Sequence, residues 1–256
     1  MPGHDIIVIG ASAGGIEPLK HLVSALPADL PAALFVVVHF PANATSVLPQ
    51  ILNRARSLPA THPADGERIE HGCIYVAPPD RHMLLHDSSV RLLLLPKENG
   101  HRPAVDPLFR SAARAYGPRV VGVILSGSLD DGTSGVLSVK AHGGLTVAQD
   151  PHEAIYADMP RSAIENGRVD YVLPVGEIAA LLVRLCHEPI SEADMQKFSS
   201  DMQEREKTIV REDITAQENG QRIDQATTMT CPECGGVLPT NKSQGTVPDP
   251  AVTSNE

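Results

Sequence analysis

A serine lies in a turn of small residues near the start of the chain. The segment from Gly10 to Gly15 reads G-A-S-A-G-G, and it places Ser12 between a run of β-branched residues and a segment with helical spacing. This G-x-S-x-G arrangement is typical of a turn that exposes a serine hydroxyl at the end of a strand. Glycine-rich turns at such places also bind phosphate or a dinucleotide, but that fingerprint has glycine where Ser12 stands. The residues therefore favour Ser12 as a nucleophile over a phosphate site.

Two later segments supply partners for a nucleophilic serine. His39 follows the second apolar run, and Asp130 and Asp131 follow a later one. A serine needs a base that takes its proton, and the base needs an acid that fixes its tautomer. Ser12, His39 and one of the two aspartates therefore predict a serine hydrolase. Their order along the chain differs from the Ser, Asp, His order of α/β-hydrolases, so a lipase-type fold is not expected.

Apolar runs without alternation predict the strands that must position these residues. The runs cover residues 6–9, 34–38, 120–125, 145–148 and 169–173, with helical spacing between them. Such runs predict an α/β fold, with a doubly wound, mostly parallel, Rossmann-like sheet that is covered on both faces. The segment from Met83 to Leu95 predicts an inserted antiparallel hairpin. Ligands of such sheets bind at the carboxyl ends of the strands, where Ser12, His39 and the aspartates lie.

Composition and charge exclude several classes of function. The 256 residues carry a formal charge of −10, which repels nucleic acid. No apolar run approaches the roughly 18 to 20 residues of a membrane-spanning helix, and the N-terminus lacks the basic flank of a signal peptide. Four cysteines fit a reducing compartment. We therefore expect a cytoplasmic protein that neither binds nucleic acid nor inserts into a membrane, and no cofactor is predicted.

The chain changes character near His187. From Glu188 onward it has 13 acidic and 6 basic residues and no long apolar runs. We predict a catalytic domain over residues 1–187 and an acidic, partly disordered tail over residues 188–256. Cys231 and Cys234 form one C-x-x-C pair, which supplies only half of a tetrahedral zinc site. No metal is predicted within the chain, and a zinc site shared with a second chain or a partner is the alternative. The tail is better suited to a partner or to dimerisation, by tethering or through such a metal, than to chemistry.

Six ordered segments resemble one known family. They are I-V-I-G-A-S-A-G-G ending at residue 15, V-V-H-F-P at 37–41, A-P-P-D-R-H-M at 77–83, R-P-A-V-D-P-L-F-R-S-A-A at 102–113, I-L-S-G-S-L-D-D-G-T-S-G at 124–135 and Y-A-D-M-P-R-S-A at 156–163. Together they resemble the catalytic domain of the chemotaxis protein-glutamate methylesterase family, CheB, over residues 5–186.

The resemblance implies a reaction, a partner and a catalytic triad. The reaction is hydrolysis of glutamyl methyl esters on methylated chemoreceptors, with deamidation of receptor glutamines as a second activity. Ser12 matches the nucleophile, His39 the base and Asp131 the acid, because Gly132 aligns with the glycine that follows the acid. Well-known members carry a receiver domain ahead of the esterase, and this chain is not expected to use that switch in cis. The alternative is a signalling module that binds receptors or a kinase without catalysis.

Further residues are implied by the same match. The backbone N–H groups of Ala13 and Ser128 correspond to oxyanion donors. Arg161 lies in a recurrent family motif and is expected to contact acidic receptor side chains, with a structural ion pair as the alternative. Arg81 precedes the predicted hairpin and is expected to shape the substrate cleft. Ala13 stands where the family often has threonine. Leu129 stands where a glycine is common, and it would be strained if that position needs a positive φ.

Overall fold

The computed structural model of the protein describes residues 3–200, apart from residues 42, 56 and 87. Most of the predicted tail, including Cys231 and Cys234, lies outside the described residues. Within the part that is described, every helix is too short or too polar to cross a bilayer.

Seven parallel strands form the central sheet. In chain order the strands of the described residues are β1 (Ile6–Ala11), β2 (Ala33–Val38), β3 (Ala60–Thr61), β4 (Ile74–Val76), β5 (His82–His86), β6 (Ser89–Leu93), β7 (Val120–Ile124), β8 (Leu145–Gln149) and β9 (Tyr171–Leu173). The sheet has the order β3-β4-β2-β1-β7-β8-β9, and β5 pairs with β6 in a separate antiparallel hairpin. The predicted doubly wound sheet and inserted hairpin are confirmed. The sequence did not predict β3 and β4, because runs of two and three residues are too short to show a period.

Up to His187, six α-helices of the described residues cover the two faces of the sheet. They are α1 (Ile16–Ser24), α2 (Leu48–Leu52), α3 (Val105–Tyr116), α4 (Thr133–Ala141), α5 (Asp158–Gly167) and α6 (Val175–His187). Successive strand residues point to opposite faces. Ile7 and Ile9 of β1 therefore join a core with α1 and α6, whereas Ile6 and Val8 join a second core with α3.

The strand order reverses at β1. From β1 the chain passes to β2, then to the edge strand β3 and back to β4 on one side, and it later crosses to β7 on the other side of β1. Ala11 pairs with Val38, and Gly10 pairs with Ile124, so the carboxyl ends of β2, β1 and β7 lie side by side. This reversal is the place at which open α/β sheets bind ligands.

The described residues after α6 pack on the domain. Ile190 is buried, and residues 192–200 are helical. Gly117 lies against the ring of Phe198, which a Cβ at position 117 would approach to 2.4 Å. Helix α6 ends at His187, so the predicted boundary falls between two segments that both contact the domain. That boundary stays a prediction.

Candidate active site

The structure brings Ser12, His39 and Asp131 into one line of hydrogen bonds. Ser12 follows β1 directly, His39 follows β2, and Asp131 lies in the loop between β7 and α4. His39 Nδ1 is 3.0 Å from Ser12 Oγ, and His39 Nε2 is 2.7 Å from Asp131 Oδ2. Asp130 is exposed, and the structure gives its side chain no such contact within the described residues. Of the two candidate acids, the fold thus brings only Asp131 to the imidazole.

The acceptor on the far side of the ring fixes the tautomer of His39. An ionised carboxylate only accepts hydrogen bonds, so Nε2 carries the proton that it donates to Asp131. Nδ1 is then the free acceptor, and Ser12 Oγ–H donates to it. The ring therefore presents Nδ1 to the serine, the reverse of the chymotrypsin-type arrangement. The geometry suits His39 to take a proton from Ser12.

The Asp131 carboxylate is buried and fully hydrogen-bonded. Oδ2 accepts from His39 and from the N–H of Val105 at 2.7 Å, and Oδ1 accepts from Asn99 Nδ2 at 2.7 Å and from the N–H of Asp106 at 3.1 Å. Burial raises the pKa of Asp131, but the hydrogen bonds from His39, Val105 and Asn99 outweigh it and leave the pKa below its ordinary value. The group is therefore a stable anion facing the imidazole.

Hydrogen bonds to Ser126 fix the turn that carries the serine. The N–H of Ser12 donates to the carbonyl of Ser126 at 3.0 Å, and the Ser126 hydroxyl donates to the carbonyl of Ala13 at 3.0 Å. The N–H of Gly15 donates back to the carbonyl of Ser12. A Cβ on Gly127 would lie 2.9 Å from Ser12 Cβ, so only glycine lets the β7 loop approach this closely. The ends of β1 and β7 are joined as one unit.

The two predicted oxyanion donors are free in this arrangement. Within the described residues, neither the N–H of Ala13 nor that of Ser128 has a hydrogen-bond acceptor. Both lie in the turns that flank Ser12, and α1 begins three residues beyond Ala13 with its N-terminus toward this edge. Free N–H groups at such a place can stabilise negative charge on a substrate oxygen.

The loop that carries the acid has an unusual backbone. Leu129 adopts φ +67° and its side chain is 66 % exposed, so a leucine occupies the left-handed conformation that glycine favours. Gly132 has φ +102°, and a Cβ there would lie 2.6 Å from Ile124 Cδ1. Gly132 therefore lets the chain turn from Asp131 into α4, while Leu129 carries the strain that the sequence suggested.

Three residues that the sequence analysis missed complete the site. Asn99 bonds Asp131, as described above, and Asp106 is buried beside it. The ring of His101 stacks on His39, with centroids 3.7 Å apart and planes 10° from parallel. Burial, and then the facing His39, lower the pKa of His101, which keeps the stacked ring neutral. An N-G pair at positions 99 and 100, just before the R-P-A-V-D segment, was the signal that could have located them.

The two predicted arginines lie apart from this network. Arg161 is exposed on α5, and Arg81 donates to the carbonyl of Asp80 at 3.4 Å. No hydrogen bond or ion pair of the described residues joins either side chain to the triad. Arg102 instead binds the Asp80 carboxylate. Within residues 3–200 no cluster of three or more His, Cys, Asp or Glu side chains is placed to hold a metal ion.

An open groove with an apolar rim adjoins the serine turn. Its volume is about 260 Å³, and Gly14, His21, Gln149 and Ile155 are among the residues that line it. Ile155 and Tyr156 are large exposed residues that lie against Gly14. The serine turn therefore borders an open, partly apolar groove through Gly14.

Comparison with known proteins gives one consistent family. A family model described as CheB methylesterase matches residues 7–182. The crystal structure of the Thermotoga maritima CheB methylesterase catalytic domain superposes with a TM-score of 0.68 at 37% identity, covering 71% of this chain and 98% of that one.

Curated relatives agree with the family match. A putative protein-glutamate methylesterase/protein-glutamine glutaminase of Leptospira interrogans is 39% identical over 183 residues, which cover 71% of this chain and 95% of the relative. A protein of Moorella thermoacetica named protein-glutamate methylesterase/protein-glutamine glutaminase is 40% identical over 190 residues, and the match spans only 45% of its length. The chain thus spans about half the length of several curated relatives.

Proposed function

The chain belongs to the CheB methylesterase family, and from that premise we propose that it is a serine esterase that hydrolyses glutamyl methyl esters on chemoreceptors to glutamate and methanol. The observation that carries the proposal is the continuous line of hydrogen bonds from Ser12 through His39 to Asp131, in the region that the family model matches. The enzymatic names of the relatives support the same reaction.

In the first half of the proposed reaction, Ser12 is acylated. Ser12 Oγ attacks the ester carbonyl carbon while its proton passes to His39 Nδ1. The resulting imidazolium donates through Nε2 to the Asp131 carboxylate, which offsets the new positive charge. The N–H groups of Ala13 and Ser128 hold the oxyanion of the tetrahedral intermediate, and each such donor contributes about 3 to 4 kcal/mol in comparable sites. When the C–O bond breaks, methanol leaves with the proton from Nδ1.

In the second half, water releases the glutamate. His39 Nδ1, again unprotonated, takes a proton from a water that attacks the glutamyl carbonyl of the Ser12 ester. The same oxyanion donors hold the second tetrahedral intermediate. The carbon–oxygen bond to Ser12 breaks, and His39 returns the proton to Ser12 Oγ. The products are a free glutamate side chain and the starting enzyme.

The open rim of the groove favours a protein as substrate. Ile155 and Tyr156 offer exposed apolar surface beside the serine turn, which a glutamyl ester on a protein surface can reach. Methylated chemoreceptors are the partners that we propose on the basis of the family. The proposal places the enzyme in the cytoplasm, where the four cysteines stay reduced.

A second activity follows the same steps. Attack on a glutaminyl amide in place of the ester releases ammonia, and the paired names of the relatives support this reaction. An amine leaving group requires full proton transfer from His39, so deamidation depends on the orientation of the imidazole at least as strongly as ester hydrolysis does.

Methanol release from a methylated chemoreceptor tests the proposal. Wild type is compared with Ser12→Ala and with Ser24→Ala, which removes an exposed hydroxyl on α1. We expect Ser12→Ala to lose about 10⁶-fold in kcat, as for other nucleophile deletions, and Ser24→Ala to match wild type. Circular dichroism checks that both variants are folded. A folded wild-type protein that releases no methanol would overturn the proposal in favour of a signalling module without catalysis.

A further inference from the structure

A turn with two residues at its tip contacts Asp131, the acid of the triad. The N–H of Glu98 donates to the carbonyl of His101 at 3.1 Å, and the N–H of His101 donates back at 2.8 Å. Asn99 and Gly100 form the tip with φ +50° and +76°. Asn-Gly is the preferred pair for such a turn, because both tip residues need a positive φ. We refer to residues 98–101 as the clamp turn.

The Asn99 side chain joins two buried carboxylates. Its Nδ2 lies 2.7 Å from Asp131 Oδ1 and 2.9 Å from Asp106 Oδ2, so each of its two hydrogens has an anionic acceptor. Asp131 is 2 % exposed and Asp106 is 5 % exposed. Two carboxylates this close repel each other in a poorly solvated site, and the amide between them offsets part of that repulsion.

Asp106 connects the same amide to the loop that carries Asp131. Its Oδ1 accepts from the N–H of Gly132 at 3.1 Å and from that of Gly135 at 2.6 Å. Burial and the charge of Asp131 raise the pKa of Asp106 to about 6, so this carboxyl takes up a proton close to neutral pH. The hydrogen bonds and the charge of Asp106 therefore both act on the acid of the triad.

Buried contacts hold the clamp turn in place from both sides. His82 is fully buried; its Nε2 is 2.9 Å from the carbonyl of Pro96, and its Nδ1 accepts from the N–H of Ala104 at 3.3 Å. Burial lowers the pKa of His82, which keeps the ring in the neutral form that this pairing requires. Arg110 binds the Glu98 carboxylate at 2.6 Å. Asn99 is thus held in position by its surroundings.

We infer that Asn99 is a positioning residue that, together with Asp106, sets how strongly the His39–Asp131 pair holds a proton. This inference rests on the proposed function. Asn99 acts through Asp131 and touches neither Ser12 nor His39 in any hydrogen bond of the described residues. Among the described residues, the titratable groups that act on the pair are Asp106 from α3, His101 from the clamp turn and His82 from β5. Arg110 from α3 acts on Asp106, and Lys97 acts on His101.

The two residues should shift proton uptake in opposite directions. Without the Asn99 amide, less of the repulsion between the Asp131 and Asp106 carboxylates is offset. A proton shared among His39 and the two carboxyls is therefore bound more strongly and is taken up at higher pH. Removing the negative charge of Asp106 weakens the attraction for that proton, so uptake moves to lower pH. A role limited to folding would change stability without moving the midpoint.

Two variants of the full chain test these directions. Asn99→Gly removes the amide and retains a residue that adopts φ +50° without strain, so the clamp turn can persist. Asp106→Asn removes the charge and retains an oxygen for the N–H groups of Gly132 and Gly135. Its NH₂ then faces Asn99 Nδ2, so the hydrogen bond from Asn99 to residue 106 is lost with the charge, while the bond from Asn99 to Asp131 remains. Asn166→Ala on the exposed face of α5 is the control. The readout is the pH titration of the His39 imidazole by NMR, assigned through the signals that disappear in His39→Gln.

We expect the His39 midpoint to rise by about 0.5 to 1 unit in Asn99→Gly and to fall in Asp106→Asn. The pH at which kcat/KM for methanol release reaches half its maximum should move with it. In Asn99→Gly, kcat should drop about 10- to 100-fold with KM within about threefold, by analogy with the loss of a hydrogen-bond partner that orients a metal-binding side chain. Unchanged midpoints in two folded variants would overturn the inference. Because the titration needs no turnover, it stands even if wild type releases no methanol, and that result would count against the proposed function alone.

Discussion

Two buried aspartates at opposite ends of the same strands differ in the charge that faces them. Asp131 lies at the carboxyl ends of β1 and β7, and Asp5 lies at their amino ends. Arg119 binds both oxygens of Asp5 at 2.8 and 2.7 Å, and His71 approaches it at 3.2 Å. Asp131 pairs with His39, and within the described residues no lysine or arginine forms an ion pair with it.

The difference separates a structural ion pair from a catalytic one. The guanidinium of Arg119 is permanently charged, so it neutralises Asp5 whether or not His71 carries a proton. Asp131 is held by neutral donors, and its charge remains available to an imidazolium. The His71 side chain is 48 % exposed and the His39 side chain 5 % exposed, so water competes for the first and not for the second. An Asp–His contact therefore indicates a catalytic pair only when the other partners of the carboxylate are also known.

The largest expected effect is at the catalytic end. Asp131→Asn should lower kcat for methanol release by about 10⁴-fold, as for other triad acids. Every hydrogen bond that Asp131 makes is an accepted one, so an amide NH₂ faces a donor at either oxygen position. Where the NH₂ faces His39, it forces the ring proton onto Nδ1, which then cannot take the proton of Ser12.

The neighbouring acid provides the matched control for this prediction. Asp130→Asn removes a charge from the same loop without touching the imidazole, so kcat should stay within about threefold of wild type. Methanol release by the two variants is measured at one enzyme concentration, after their thermal unfolding midpoints have been compared. Equal losses in both would mean that the net charge of the loop, and not the contact between Asp131 and His39, determines the rate.

The second effect belongs to the opposite end of the strands. Asp5→Asn leaves Arg119 without its anion, and we expect the free energy of unfolding to fall by about 3 kcal/mol. Urea unfolding followed by circular dichroism measures this change. Because the site is at the far end of β1 and β7, kcat of the folded variant should stay within about threefold of wild type. A loss of kcat comparable to that of Asp131→Asn would break the distinction between the two ends.

The sequence predicted those site residues that directly follow a strand. Ser12 and His39 directly follow strands that appear as apolar runs, and parallel strands bring their carboxyl ends together. The overall sheet followed from the same runs, and the hairpin followed from the segment between Met83 and Leu95. Asp130 and Asp131 could not be separated by spacing, since the choice depends on the backbone of their loop, and only the family resemblance favoured Asp131.

The rest of the site could not be read from strand ends. Asn99, His101 and Asp106 come from a turn and the start of α3, between the hairpin and β7. Their approach to the triad depends on the tertiary packing of α3 against β1, where Gly10 leaves room for Val105. Sequence spacing did not show that Asp80, the neighbour of Arg81, forms its ion pair with Arg102 from the next segment. The role of Arg81 stays a prediction.

The smallest effect concerns Leu129, whose departure from glycine was visible in the sequence. Its φ of +67° costs a residue with a side chain about 1 to 2 kcal/mol, and its exposed side chain recovers little through packing. Leu129→Gly removes that strain but adds backbone entropy to the unfolded chain. The net expectation is a gain of about 0.5 to 1 kcal/mol in the free energy of unfolding, measured by urea titration.

For an exposed leucine with an ordinary backbone, substitution by glycine should lower the free energy of unfolding instead of raising it. Leu94 is 60 % exposed and has a negative φ, so Leu94→Gly gains no relief and should lose about 0.5 to 1 kcal/mol. Leu129→Gly should also lower kcat by about two- to fivefold, because a more flexible loop orients the N–H of Ser128 less well. Stability gained together with activity lost would show that the catalytic end of the sheet keeps a strained backbone to hold its oxyanion donor. If Leu129→Gly lost stability as Leu94→Gly does, the left-handed residue would carry no strain, and the two ends of the sheet would differ in charge alone.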